Sequence, residues 1–435
     1  MSDQPPLADP EAEEGESAAE QAREGVRVRL ATLFGRGDEV LTALVLATFI
    51  ARLGRGVFIA VTVLYLTFIA GLSAGEVATV VAATAIAGIG AAYAGGWLAD
   101  RLSARRLLVV LILIESVGLA AYVLIDSFAI ALIVGIITGA IEAATHSVQS
   151  AVIARAFTGP GRVRVRAVIR TVTNIAIALG SGVAAIPLVL GTPEAYRVTI
   201  VGAAVAALAS GLVLLRLPAS VDASAAVAVD GKPPVRRSPW RDPRYLAFVG
   251  LASLFGIQFA VFEYGIPLWI AHDTEAPLVM VSVLLILNTV IVTAFTVVLS
   301  RGVEDPARAG RVFAIGGVLM ALACVVYALA AGAPPWIAIV VLLVASTAHA
   351  FAEVLSQGAG WGLAFELAPA GSVGEYQGLV GMGYSIVGAI GPPLIAVTVL
   401  RFGMPGWLAF GALFLLTAFG VFVVGRRAGR TWVAG

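Results

Sequence analysis

Cysteine is almost missing from this chain. Cys324 stands alone among 435 residues, which excludes an internal disulfide framework and any cysteine-based metal site. Histidine is scarce as well: His146, His272 and His349 are too scattered to build a dedicated zinc centre, so no metal is expected. Charged residues make up 13% of the chain, against about 25% in soluble domains. The net charge of +1 lacks the concentrated basic surface that nucleic acid requires. There is no phosphate-cradling Gly-x-x-x-x-Gly-Lys sequence, so ATP is not a direct energy source, and no cofactor is expected. What the chain has in excess is apolar surface. It is 60% hydrophobic with a mean hydropathy of +0.97, where soluble domains run near 45–50% apolar. One globular core cannot bury that surplus, so lipid must solvate much of it.

A helix needs about 20 apolar residues to cross a hydrocarbon layer of about 30 Å. Runs of that kind number twelve: Val40–Phe68, Val77–Ala99, Leu107–Val123, Phe128–Phe157, Ala167–Leu190, Val198–Leu217, Tyr245–Ala271, Val279–Ser300, Val312–Ala331, Trp336–Ala364, Tyr376–Val397 and Trp407–Val424. The expected fold class is an all-α membrane protein with two pseudo-symmetric six-helix bundles, residues 40–217 and 245–425. Between them lies a linker, 218–244, rich in Pro, Ala and Ser and carrying Lys232, Arg236, Arg237, Arg241 and Arg244. Residues 1–39, acidic and proline-bearing, cannot bury a core and read as a disordered cytoplasmic tail. Within it Val26–Phe34 has the pattern of a short amphipathic surface helix. Residues 426–435 read as a second cytoplasmic tail.

The basic residues orient this layout. With both termini inside, 24 of the 28 Lys and Arg fall on inside segments, including Arg155, Arg162, Arg164, Arg166 and Arg170 around the junction of the fourth and fifth runs. Arg197 and Arg401 fall outside, and Arg52 and Arg55 lie within the first run. That bias satisfies the positive-inside rule and implies cytoplasmic termini, and the expected location is a plasma membrane. Trp97, Trp269, Trp336, Trp361 and Trp407 fall near span ends, where indoles favour the interface. The halves also echo each other. Arg170 to Asn174, leading to Ala178-Leu179-Gly180, aligns with Gly381 to Ser385, leading to Ala389-Ile390-Gly391. Such duplication is common in secondary transporters.

After the second run comes Gly95-Gly96-Trp97-Leu98-Ala99-Asp100-Arg101-Leu102-Ser103-Ala104-Arg105-Arg106. Gly96, flanked by Ala92 one turn earlier, permits close approach of a neighbouring backbone. Asp100 can accept from a nearby helix N-terminus or from an arginine, and so clamp one closed state. This stretch resembles the signature loop of the major facilitator superfamily, in which Gly-x-x-x-Asp-Arg is followed by glycine and a basic pair. Gly96, Asp100, Arg101, Arg105 and Arg106 fit that pattern, while Ser103 stands where the family usually has glycine. The resemblance covers about Val40 to Arg427. It implies a latch favouring an outward-open state, with spans 1, 4, 7 and 10 lining a central cavity. The alternative is that these charges are topology anchors alone.

Ionisable residues inside the membrane fall on those four spans: Arg52 and Arg55, Glu142 and His146, Glu263, and His349 with Glu353. Each central charge costs roughly 2.5–3.5 kcal/mol on insertion scales, so together they must face water or one another. Glu142 and His146 share a helix face, as do His349, Glu353 and Gln357. Glu115 in the third span breaks the pattern and reads as a structural partner. A conformational change that alters a carboxyl's solvation or arginine partner can load and release a proton. Glu142, Glu263 and Glu353 are therefore expected to include proton carriers. Static pairs that fasten helices are the alternative. Phe58, Gln258, Phe262, Asn288 and Tyr384 are expected to line the substrate cavity, with Phe255, Phe259 and Tyr264 as further aromatic candidates.

Two motifs mislead. Gly71-Leu72-Ser73-Ala74-Gly75 matches a hydrolase nucleophile elbow, but that needs a strand–turn–helix context absent here. His349-Ala-Phe-Ala-Glu353 lacks a third metal ligand. The expectation is a monomeric, non-enzymatic, proton-coupled exporter of small apolar or cationic molecules, resembling drug:proton antiporters. Three cavity carboxylates against two arginines favour a cationic, zwitterionic or neutral cargo. An importer of sugars or other metabolites, or a non-transporting sensor, remains the alternative. The exporter pattern is partial: Gly180-Ser181-Gly182 and Pro187 are present in the fifth run, while the Gly-Pro pair, Gly391-Pro392, falls in the eleventh.

Overall fold

The computed structural model describes residues 38–223 and 236–432. The acidic tail over residues 1–37, with its Val26–Phe34 stretch, and Lys232 lie outside them. Among the described residues there are 12 helices long and apolar enough to cross a membrane. We number them α1 (Glu39–Leu64), α2 (Ala74–Ala99), α3 (Ala104–Ala121), α4 (Phe128–Ala156), α5 (Pro160–Val183) and α6 (Pro193–Leu214) in the first half. In the second half are α7 (beginning Pro243–Phe255 and reaching Asp273), α8 (Met280–Leu299), α9 (Pro306–Ala328), α10 (Pro335–Glu366), α11 (Val373–Phe402) and α12 (Met404–Trp432).

Local chemistry sets the ends. Asp38 caps α1, its Oδ1 accepting from the amides of Val40 and Leu41, both at 3.0 Å. The apparent nucleophile elbow is a helix start. Ser73 caps α2 in a reciprocal capping box with Glu76, the Ser73 amide donating to Oε2 at 2.9 Å. Two expected boundaries move. α5 begins at Pro160, well before the apolar run at Ala167, because Gly159 (φ 49°) supplies the turn and Pro160 is pre-set for a first helical position. α12 runs on to Trp432, so residues expected as a tail continue the helix. Their anchor is close packing of Gly425 and Gly429 on Pro306, Ala307 and Gly310 at the start of α9.

Packing repeats between the halves. In the first, α1 packs on α5 and α6, α2 on α4, and α3 on α4 and α6. Each contact recurs six helices later: α7 on α11 and α12, α8 on α10, and α9 on α10 and α12. The interface between bundles obeys the same pseudo-twofold, since α2–α11 is matched by α8–α5 and α4–α11 by α10–α5. Glycines carry it at atomic level, Gly180 of α5 packing on the Leu53 and Val57 backbone of α1 and Gly391 of α11 on Ala260 of α7. α7 is interrupted by a π-helical turn, Val261–Gly265, and α1 ends in one, Tyr65–Ile69.

The tryptophans correct one expectation. Trp269 and Trp407 are fully buried, packed edge to face at 5.7 Å, and Trp269 Nε1 donates to the Tyr327 carbonyl at 3.0 Å. They sit near span ends but face their own bundle. Trp97 and Trp336 are exposed.

Candidate functional site

The helix ends that carry the termini and the linker form one face of the molecule, here the terminal face. There α2 crosses α11. A Cβ on Gly96 would lie 2.8 Å from the Gly378 Cα and 2.9 Å from the Gly374 carbonyl carbon, so the crossing tolerates only glycine. One turn on, Asp100 accepts from the amides of Gly374 (2.9 Å) and Glu375 (2.6 Å) and from Arg155 Nη2 (3.0 Å). Ser372, at the N-cap position of α11, makes no side-chain cap bond. The carboxylate of the other bundle takes that role, set against the positive end of the α11 dipole.

The remaining loop residues divide. Arg101 folds back on its own helix, over the Trp97 ring at 3.8 Å, and Arg106 is exposed. Arg105 Nη1 donates to the Leu217 carbonyl at 2.6 Å. The arginine that reaches Asp100 is Arg155, which the sequence offered only as a topology anchor. In the equivalent loop of the second half Asp305 caps its own helix instead, accepting from the Ala307 amide at 3.0 Å.

Above this closure a cavity of about 680 Å³ lies between the bundles. Toward the opposite face α11 stands clear, and a Cβ on Gly388 would meet nothing within 4 Å. Arg52, Arg55, Glu142, His146, Arg166, Arg170 and Tyr384 all contribute to its wall. Glu142 takes Arg55 Nη2 at 2.6 Å and Arg52 Nη1 at 3.7 Å. Arg52 Nη2 also lies 2.7 Å from His146 Nε2, an acceptor role that only an unprotonated ring nitrogen fills. Glu115 faces inward after all, sharing a side recess of about 30 Å³ with Arg52 and Arg55.

Glu353 sits behind the wall. It is 5% exposed, bonded to Arg170 of the other bundle and, through Oε2, to Asn288 Nδ2 at 3.1 Å. Glu263 is apart from these groups, exposed in a second recess of about 220 Å³ that shares Tyr384 and Gly388 with the main cavity. His349 is fully buried and packs between the rings of Phe262 (5.5 Å) and Tyr327 (6.2 Å) inside its own bundle.

The expected cavity lining needs correction too. Tyr384 is in the wall. Phe58 instead packs edge-on against Tyr122 at 4.7 Å. Gln258 is buried and donates to Ser356 Oγ at 3.2 Å, Phe262 covers His349, and Asn288 holds Glu353. Phe255 is core, between Phe313 and Phe414, and Tyr264 borders the second recess. Phe259 and Trp361 supply the aromatic surface, together with Gln357, whose Nε2 donates to the Tyr384 hydroxyl at 3.1 Å.

The residues that the sequence reading missed are Arg166 and Arg170, counted there among loop anchors. Because α5 starts at Pro160, both stand well inside a helix and reach the cavity. The cavity therefore carries four arginines, where the sequence offered two, and the balance behind a cationic or neutral cargo no longer holds.

Comparisons with known proteins agree with this architecture. No curated protein matches the chain by sequence. Among solved structures, the human organic anion transporter MFSD10 (TETRAN) is similar at 16% identity and a TM-score of 0.67, covering 88% of this chain and 99% of its own. The proton:xylose symporter XylE bound to 6-bromo-6-deoxy-D-glucose is similar at 15% identity and a TM-score of 0.63, covering 87% and 94%. A double-Trp XylE mutant reaches a TM-score of 0.71 at 16% identity, covering 90% and 98%. These likenesses show the fold. The family model for the Major Facilitator Superfamily matches residues 44–392, and with twelve spans in two related bundles around a central cavity, the chain belongs to that superfamily.

Proposed function

We propose that this chain is a proton-coupled secondary active transporter, a carrier for a small molecule that works by alternating access. The observation that carries the reading is the ion pair between Arg170 and Glu353. Arg170 belongs to the first bundle and lines the cavity, Glu353 belongs to the second and lies behind the wall, and the pair ties the two bundles together. Opening the terminal face parts α5 from α10 and must separate these groups. A buried carboxylate left without its cation is costly, and a proton neutralises it in the guanidinium's place. Glu353 can hold either partner but has no need of both, which ties proton exchange to bundle movement. Glu142, held by two arginines of α1, is the second candidate. Glu263, standing in the outer recess, is the third.

The positive-inside bias supports cytoplasmic termini, so the terminal face is taken as cytoplasmic and, in the plasma membrane we propose for it, the state described as outward-facing. We read the carrier as a monomer. Export is the sense we propose, on the glycine-rich course of α5 beside α1 and its break at Ala184 ahead of Pro187. In everted vesicles acidified inside, an exporter exchanging cargo for protons accumulates cargo, and an importer does not. Glu353→Gln is expected to abolish gradient-driven flux in proteoliposomes. Unchanged flux in Glu142→Gln, Glu263→Gln and Glu353→Gln alike rejects proton coupling through these groups. A sensor would show no flux in the parent protein.

A further inference from the structure

The charges around the cavity do not balance, and the surplus is local. Arg52 and Arg55 face Glu142 and share a recess with Glu115, and Arg170 is bonded to Glu353. Arg166 is different. Its Nη1 donates to Ser150 Oγ at 2.8 Å, and among the described residues no carboxylate oxygen lies within 4.0 Å of its guanidinium. It lines both the main cavity and a smaller recess of about 70 Å³ beneath it, so it stands at the cavity floor.

An arginine this deep, without an anion, is a costly arrangement in a low-dielectric site. Its surroundings suit an incoming acid. Tyr384 lines the same two spaces and accepts from Gln357, which leaves its own O–H to donate. Trp361 lies under both guanidinium groups, 6.0 Å from Arg166 and 5.8 Å from Arg170, and Phe259 lies 5.5 Å from Arg170. These rings hold the guanidinium planes by cation–π attraction and offer an apolar surface beside them.

The geometry points to a binding site for an organic anion: an acid group seated on Arg166 and the Tyr384 hydroxyl, with an apolar or aromatic body against Trp361 and Phe259. This deepens the transporter reading by naming the class of cargo, and it rests on that reading for its role in transport. A planar oxyacid matches the guanidinium fork, which a neutral or cationic molecule does not. Such a ligand neutralises the one wall cation that lacks a counter-charge among the described residues, whereas a cationic ligand adds to it.

The test uses three probes with one ring system: 2-naphthoate, 2-naphthamide and 2-naphthylmethylammonium. Binding is measured by thermal shift and intrinsic tryptophan fluorescence on the purified full chain in a non-ionic detergent, with no gradient imposed. The expected order is naphthoate at least tenfold tighter than the amide, and the ammonium weakest. Arg166→Gln should remove that preference, lowering naphthoate affinity at least tenfold while leaving the amide within twofold; Arg166→Lys should retain part of it. Size-exclusion profiles report whether each variant is folded, and if Arg166→Gln is not, the ranking in the parent protein with Arg166→Lys decides. Equal affinity for naphthoate and naphthamide, binding of none of the three, or an unaltered preference in Arg166→Gln overturns the proposal. Selective naphthoate binding without gradient-driven flux sinks the coupling reading and leaves the anion site. Gradient-driven flux with charge-blind binding does the reverse.

Discussion

Asp100→Asn tests how the terminal face is held shut. The carboxylate accepts from the Gly374 and Glu375 amides at 2.9 and 2.6 Å and from Arg155 at 3.0 Å. Asparagine offers one acceptor oxygen and an NH₂ group. It can keep one amide partner, but its NH₂ then meets a second N–H donor, and the ion pair with Arg155 is lost. A hydrogen bond to a charged group contributes about 1.5–3 kcal/mol, and the surviving cap retains most of its value because Asn and Asp are similar N-caps. The net loss to the closed face is about 2–3 kcal/mol, which at about 1.4 kcal/mol per decade is roughly 30- to 150-fold in the open population. A reporter for the minor state reads this best. Ser147 is 2% exposed, its hydroxyl has no hydrogen-bond partner, and it lines the recess beneath the cavity floor. Ser147→Cys is therefore a near-isosteric probe that is reachable from the terminal face only when the bundles part. The native Cys324 is fully buried and contributes little background. Maleimide labelling of Ser147→Cys, followed by intact-mass spectrometry, should speed up by that factor in the Asp100→Asn background. A rise of less than about threefold refutes the idea that these bonds hold the face closed.

Two further expectations follow from the same contacts. Gly96→Ala drives a methyl group into the α11 backbone at Gly374; overpacking of this kind costs about 1–3 kcal/mol, so Ser147→Cys labelling should again rise, roughly 5- to 150-fold, and an unchanged rate argues against a glycine-only crossing. Arg170→Gln strands a carboxylate that is 7% exposed at its side chain. Removing one partner of a buried pair costs about 3–5 kcal/mol, with Asn288 holding the loss toward the lower end. The thermal midpoint at fixed scan rate should fall in the single variant and recover mostly in Arg170→Gln/Glu353→Gln. If the double variant is as unstable as the single, the two groups are not energetically coupled.

Much of the architecture is legible in the sequence because lipid imposes a length. Apolar runs of about 20 residues mark each span whatever it packs against, and the period of the polar groups on α1 and α4 already brings Arg52, Arg55 and Glu142 into one interior. Gly96 and Asp100 are readable for a similar reason, since close backbone approach and an amide-accepting carboxylate each need a particular residue. Phase around a helix is not readable in that way. Phe58, Gln258 and His349 have the spacing of cavity residues, yet each turns toward its own bundle, and only the positions of neighbouring helices decide this. Arg166 and Arg170 were hidden by the rule that served best. Arginines at a span end look alike whether they meet headgroups or water-filled space, and the early start of α5 at Pro160 separates the two cases. Trp269 and Trp407 mislead in the opposite sense, being interfacial by position and core by contact.

The linker has a consequence of its own. Asp222, at its start, takes the Ser103 hydroxyl at 2.5 Å, and Arg236, toward its end, donates to the Asp100 carbonyl at 2.8 Å. The covalent strap between the bundles is thus stitched at two places to the loop that bolts the doorway. Ser103 and Asp222 both belong to the first bundle and move together, so whatever swings that doorway must work the Arg236 stitch loose, and through it the strap resists the movement like a door-closer. Severing it should change the pace of the cycle even with every cavity residue intact.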